Sequence, residues 1–163
     1  MSAVPSASFD QYQSLGMCLA PMLADDLDEV QLIENDAYPH PWTRGNFLDS
    51  LYSGYETWTL REASGALAGY FLLMMSVDEA HLLNITVRRD LHGKGLGRRL
   101  IDDVVALARQ KNLTLILLEV RPSNTRALGV YQRYGFERIG KRKNYYPAAD
   151  SMREDAIVMR YSL

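Results

Sequence analysis

The stretch RRDLHGKGLGRRL, residues 88–100, places glycine at positions 93, 95 and 97 among five cations. Before it lies EAHLLNITV, residues 79–87, an apolar and β-branched run that reads as a strand. After it lies RRLIDDVVALARQ, residues 98–110, with Leu100, Ile101, Val104, Val105 and Ala108 at helical spacing. A strand, a glycine-rich turn and a helix start together suit a phosphate group. Glycine lets the backbone approach a ligand, the first helical turn has unpaired N–H groups, and the helix dipole favours an anion there. Lys94, Arg98 and Arg99 add full positive charges around the turn.

Two nucleotide motifs fail at this position. The phosphate loop of nucleoside-triphosphatases needs Ser or Thr after Gly-Lys, whereas Gly93-Lys94 runs into Gly95. The dinucleotide fingerprint would need a glycine at position 98, which is arginine, and should sit on an early βαβ unit. A glycine-rich turn with merely solvated charges is the structural alternative.

Upstream, ADDLDEVQLIENDAY suggests a helix opened by a capping box from Asp26 to Glu29, and TRGNFLDSLY a second with Thr43 as N-cap. ETWTLREASGALAGYFLLMMSV reads as a hairpin turning at Ala63-Ser64-Gly65. Downstream, LTLILLEV, residues 113–120, is a strand apolar enough to be buried on both faces. SNTRALGVYQRYG is a helix capped by Ser123 or Asn124 and ended by Gly135. FERIGKR and DAIVMRYS close the chain as strands, with KNYYPAADSMRE as the loop between them. Residues 1–16, rich in Ser and Ala, read as a flexible leader to one domain over 17–163. The predicted order is α-α-β-β-β-α-β-α-β-β, an α/β (α+β) chain with a mixed, mostly antiparallel sheet.

The length of 163 residues suits one domain with a proper core. No apolar run reaches the roughly 18 residues of a membrane span, and the N-terminus lacks the pattern of a secretion signal. The single cysteine, Cys18, excludes an internal disulfide and is assigned to packing, and no Cys/His spacing matches a zinc motif. These features point to a cytoplasmic protein with no metal. The net charge of −2 hides an asymmetry, because 16 of the 18 Lys and Arg lie from Arg88 onward. An acidic first half and a basic second half suggest two partners of opposite charge, or neutralisation across the fold. Nucleic acid is not among the expected partners, since the basic half carries no recognised motif.

Two further residues stand out. Strand alternation puts Glu119 on one face of its strand with Leu113, Leu115 and Leu117. A glutamate ending an apolar face either escapes to water or is kept for chemistry; its place near the carboxyl end of a central strand favours chemistry. Tyr131 follows Ala127 and Leu128 on the inward face of its helix. Such a tyrosine is ordinarily core.

The run His92-Gly93-Lys94-Gly95-Leu96-Gly97 resembles the pyrophosphate-binding signature Q/R-x-x-G-x-G/A of the GNAT superfamily of acyl-CoA-dependent N-acyltransferases. The departure is His92, in place of Gln or Arg. LLNITV, LEVRPSN, YQRYGF and NYYP followed by EDAIVM resemble blocks of the ribosomal-protein-alanine N-acetyltransferase branch, as HPWTRGNF resembles its early Pro-Trp segment. The resemblance spans roughly residues 20–163 and implies the GNAT fold with acetyl-CoA as co-substrate. It implies that Gly93, Lys94, Gly95, Leu96, Gly97 and Arg98 hold the diphosphate and that Asn124 contacts the carrier. Ile85, Thr86 and Val87 would line its acetyl-pantetheine arm. It makes Glu119 the general base and Tyr131 the proton donor. The implied acceptor is the N-terminal alanine of a ribosomal protein, of the small subunit; other N-termini, lysine, small amines, or a non-catalytic acyl-CoA sensor are the alternatives.

That chemistry fits the residues. An amine attacks a thioester only when neutral, so a carboxylate within reach, directly or through water, takes its proton, and the departing thiolate benefits from an acid such as tyrosine. A chain's α-amine, with pKa near 8, is about one-tenth neutral at pH 7, against roughly 0.04% for lysine, a difference of about 3 kcal/mol. Tyr145 and Tyr146 either form a lid over the acceptor or simply pack.

Overall fold

A computed structural model describes residues 11–163. Seven strands form one sheet: β1 (Met17–Pro21), β2 (Glu56–Glu62), β3 (Leu67–Met75), β4 (Glu79–Val87), β5 (Leu115–Val120), β6 (Glu137–Pro147) and β7 (Arg153–Ser162). Their spatial order is β1-β2-β3-β4-β5-β7-β6, with every pair antiparallel except β4 and β5. Flanking it, among the described residues, are the helices α1 (Leu27–Ala37), α2 (Arg44–Tyr52), α3 (Leu96–Gln110) and α4 (Thr125–Tyr134). This is the expected mixed α/β architecture with one strand added. β1 escaped the sequence reading because MCLAP is only five residues long and bounded by Gly16 and Pro21; it exists by pairing with β2.

Two apolar layers hold the helices to the sheet. α3 packs Leu100, Ile101, Val104 and Ala108 against Phe71, Leu82, Ile116, Leu118 and Met159 on one face. On the other face Leu27 and Val30 of α1 and Phe47 of α2 meet Leu67, Tyr70 and Leu72 of β3. Strand β3 is therefore covered on both sides. β5 is not, contrary to expectation: Ile116, Leu118 and Val120 are buried, but Leu115, Leu117 and Glu119 are only half-covered because α1 and α2 stop short of them.

Local signals were mostly obeyed. Thr43 accepts the Asn46 N–H at 3.2 Å while Asn46 Oδ1 accepts the Thr43 N–H at 2.9 Å, a reciprocal cap. The box expected between Asp26 and Glu29 does not form. Asp26 accepts the Leu23 N–H at 2.7 Å and both acids bind Arg61 instead, because a 3₁₀ turn at Ala24–Asp26 leads into α1. The expected 143–154 loop is largely strand. Tyr146 pairs with Glu154 and Pro147 with Arg153, and an irregularity between Arg142 and Tyr146, with Asn144 at φ 50°, absorbs the extra residues.

Of the expected leader, residues 1–10 lie outside the described residues. Its end is packed: Tyr12 is fully buried and donates to Asp103 Oδ2 at 2.6 Å, and Gln11 donates to Oδ1 at 2.8 Å. Cys18 is exposed, not in the core.

Candidate active site

Beyond Leu82 and Leu118, β4 and β5 stop pairing, and the sheet splays. A cavity of about 1070 Å³ opens there, walled by the end of β4, the segment just after β5, α3, α4 and the chain after α1. The splay frees one edge of β4. Arg88 N–H bonds Ala68 O on β3, so by strand alternation the N–H and C=O of Ile85 and Val87 point away from β3 into the gap. Two of those groups are taken: Ile85 O accepts from the Tyr38 hydroxyl at 3.1 Å and Val87 O from His92 at 2.7 Å. Thr86 also lines the cavity, but its hydroxyl lies between Tyr38 and Asn84.

The bulge that shapes this edge is set by a buried carboxylate. Register slips between Leu72 and Leu73 of β3, so Leu83 is an extra residue in β4; Leu83 and Asn84 then both face the α1 layer. There Asn84 donates to Glu34, which also accepts from the Tyr70 hydroxyl and the Trp42 N–H. Burial raises the Glu34 pKa despite those donors. Glu34 thus ties the segment Tyr38 to Trp42 to β4. Tyr38 itself is pushed up to about 12 by burial, so it stays a hydroxyl.

Most of the glycine turn lines the cavity. Gly93 and Gly95 have φ of 77° and 79°, the left-handed region, and nothing stands within 4 Å of where their side chains would be. Gly95 is the N-cap of α3 and has no side chain to cap it, so the helix begins two residues earlier than the leucine pattern suggested and leaves its first N–H groups open. Gly93, Gly95, Leu96, Gly97 and Arg98 all line the cavity; Lys94 is exposed and does not. Across from them stand Arg126 and Arg133 of α4, cations the sequence reading passed over although they lie seven apart on one helix. His92, the departure from the motif, staples the turn to the end of β4. Asn124 also lines the cavity, though its Oδ1 is spent capping α4 through the Ala127 N–H at 3.2 Å.

Tyr131 lines the same cavity, and its ring packs on Phe136 at 5.6 Å. Among the described residues no group hydrogen-bonds its hydroxyl. Burial, then the neighbouring Tyr38 and Tyr146, pushes its pKa up. Glu119 does not line the cavity. Its side chain is 9% exposed, with one oxygen on His81 Nε2 and the other 3.2 Å from Arg142 Nε. Burial pushes its pKa up, but His81 and Arg142 outweigh that and hold it below the usual carboxylate value. Burial, and then the charge of Glu119, pushes the Tyr146 pKa up. Arg121 holds Tyr146 from below, 4.4 Å from its ring, and ties the β6–β7 hairpin down through Pro147 O and Glu154. His81, Arg142 and Glu34 gave no sequence signal, because each matters only through a partner brought by strand register.

Among the described residues no group of three or more His, Cys, Asp and Glu is placed to hold a metal ion, and no helix is long and apolar enough to cross a membrane.

Comparison with known proteins agrees with this arrangement. The profile of the acetyltransferase (GNAT) family matches residues 27–136. Ribosomal protein bS18-alanine N-acetyltransferase of Escherichia coli K12 is 35% identical over 134 residues, covering 82% of this chain and 89% of that protein. The crystal structure of the ribosomal-protein-S18-alanine N-acetyltransferase from Escherichia coli superposes with a TM-score of 0.81 and 32% identity, over 90% of this chain and 93% of that one. Ard1 from Thermoplasma volcanium superposes with a TM-score of 0.81 at 25% identity, over 91% and 98%. With its splayed sheet and glycine turn, the chain is an N-acetyltransferase enzyme and belongs to the GNAT family.

Proposed function

We propose that this enzyme transfers the acetyl group of acetyl-CoA to the α-amine of the N-terminal alanine of ribosomal protein bS18. The observation that carries the reading is the splay between β4 and β5, with the uncapped start of α3 at one end and the Tyr131 hydroxyl in its wall. The substrate comes from the relatives, which are named for that acceptor. A cytoplasmic setting follows from it.

The residues fit the carrier. The open N–H groups of Leu96, Gly97 and Arg98 suit a diphosphate, and left-handed Gly93 and Gly95 leave room for it to come close. Arg98, Arg126 and Arg133 supply charge around it. The unpaired edge of Ile85 and Val87 suits the amide-bearing arm, and their N–H groups face charge that grows on the carbonyl oxygen. Glu119, ionised at neutral pH, takes the proton of the attacking amine through water, because its side chain stands outside the cavity lining. Tyr131, protonated at neutral pH, gives its proton to the departing thiolate. Direct attack needs no covalent enzyme intermediate, and Cys18 is remote from the site in β1.

The test is to mix the protein with acetyl-CoA and short peptides and follow free thiol. Release with an alanine-starting peptide and not with an N-blocked lysine peptide is expected. Release only with the lysine side chain or a small amine would remove the acceptor and leave the enzyme class.

A further inference from the structure

Arg126 and Arg133 stand in the cavity wall across from the α3 turn, and the glycine motif includes neither. We propose that they form a second anion site, which takes the 3′-phosphate on the ribose of CoA and makes the enzyme select CoA over its dephospho form. This rests on the acetyl-CoA reading above.

The cavity has a surplus of positive charge. Of the acids among the described residues only Glu154 lines it, and Arg121 and Ser123 already hold that carboxylate. Arg98, Arg126 and Arg133 line it too, and among the described residues none of the three has an ion pair or a side-chain hydrogen bond. Elsewhere the chain gives its arginines partners: Arg61, Arg88, Arg121 and Arg142 each hold a carboxylate. A diphosphate at the α3 turn carries two negative charges, which Arg98 and the helix dipole answer. The α4 pair is left for another anion.

The way α4 places the pair fits a compact dianion. Gly129 sits inside the helix, where glycine weakens the fold of the backbone. A Cβ there would stand 2.9 Å from Nη1 of Arg133. The Arg133 side chain therefore lies back over the bare backbone of Gly129, in the direction that helix side chains take. Arg126 precedes Gly129 by three residues, and positions three or four apart are neighbours on a helix surface. Gly129 thus lets Arg133 reach one turn back toward Arg126, with Val130 of the cavity wall beside them. Like charges brought together on one helix face repel, and an anion between them turns that cost into binding. A phosphomonoester is close to a dianion at neutral pH, and its oxygens match the planar fork of arginine. CoA carries one on its ribose, apart from the diphosphate in the middle of the molecule.

The experiment is calorimetric titration of wild type, Arg126→Gln, Arg133→Gln and Gly129→Ala with CoA and with 3′-dephospho-CoA, alongside thiol release from acetyl-CoA and an alanine-starting peptide. Both ligands keep the diphosphate, so contacts at the α3 turn cancel in the ratio of their Kd values. Wild type should prefer CoA by about 30-fold, and each glutamine variant should lose about 5-fold of its affinity for CoA and little for the dephospho form. Gly129→Ala should unfold at no lower temperature, alanine being the better helix former, yet lose part of the preference because Arg133 is displaced. A wild-type ratio near one, or glutamine variants that weaken both ligands alike, overturns this site and leaves acetyl transfer standing. Neither CoA binding nor thiol release from wild type would overturn the acetyl-transfer reading and the site with it.

Discussion

At the scale of single residues, the site keeps a carboxylate charged and a phenol neutral, each by its surroundings. Tyr131 is buried in the cavity wall with its hydroxyl free of partners among the described residues, as the proposed transfer of its proton to a departing thiolate requires. Tyr131→Phe lowers kcat by about 100-fold or more with little change in KM for acetyl-CoA, read by thiol release. Glu119 works the opposite way. Its folded pKa lies below the unfolded one, so its ion pairs add stability above the ordinary carboxylate value and lose it as pH falls through the depressed one. Urea unfolding of wild type and Glu119→Gln therefore shows a gap at neutral pH that closes in acid. Glu119 was legible as an odd acid on an apolar strand. Its restraints were not, since His81 and Arg142 come from β4 and β6, and no local pattern encodes which strands become neighbours.

At the scale of elements, capping and register decide what the site presents. Gly95→Val forces a β-branched residue to φ 79°, costing roughly 1–2 kcal/mol, and puts its methyl groups in the open space where the proposed diphosphate contact would form. Calorimetry should find acetyl-CoA affinity down at least about 10-fold. Gly69 tests the strand beneath. A Cβ there would stand 2.7 Å from Thr86 O, a backbone atom of β4 that cannot step aside, so Gly69→Ala destabilises by about 1–3 kcal/mol in urea and disturbs the free β4 edge that the proposed mechanism uses. Elements with their own signals were readable: the β2–β3 hairpin turn, the Thr43 cap, the amphipathic stripe of α3. Those made by pairing were not, namely β1, the long β6–β7 hairpin, and the Leu83 bulge that turns Asn84 toward Glu34.

At the scale of the whole molecule, the opposite charges of the two halves partly cancel within the fold. Arg61 binds Asp26 and Glu29, Arg44 binds Asp28, Arg88 binds Glu62 and Arg89 binds Asp36. Mostly exposed, these pairs give little stability each, but they leave less acidic surface for steering than the sequence implies. The basic half is better explained by the cavity, where Arg98, Arg126 and Arg133 converge from α3 and α4. Acetyl-CoA affinity should therefore weaken as salt is raised, in a titration by calorimetry. The helix–sheet order was readable from the chain because each helix and strand after α1 carries its own period. The depth of the site was not, because it arises where two strands part.

The most direct measurement is a crystal structure of the chain with acetyl-CoA. The diphosphate should lie within hydrogen-bonding distance of the N–H groups of Leu96, Gly97 and Arg98, with the thioester carbonyl between the Tyr131 hydroxyl and the Glu119 carboxylate. A carrier bound away from the α3 turn, or a thioester outside the β4–β5 splay, would contradict the account.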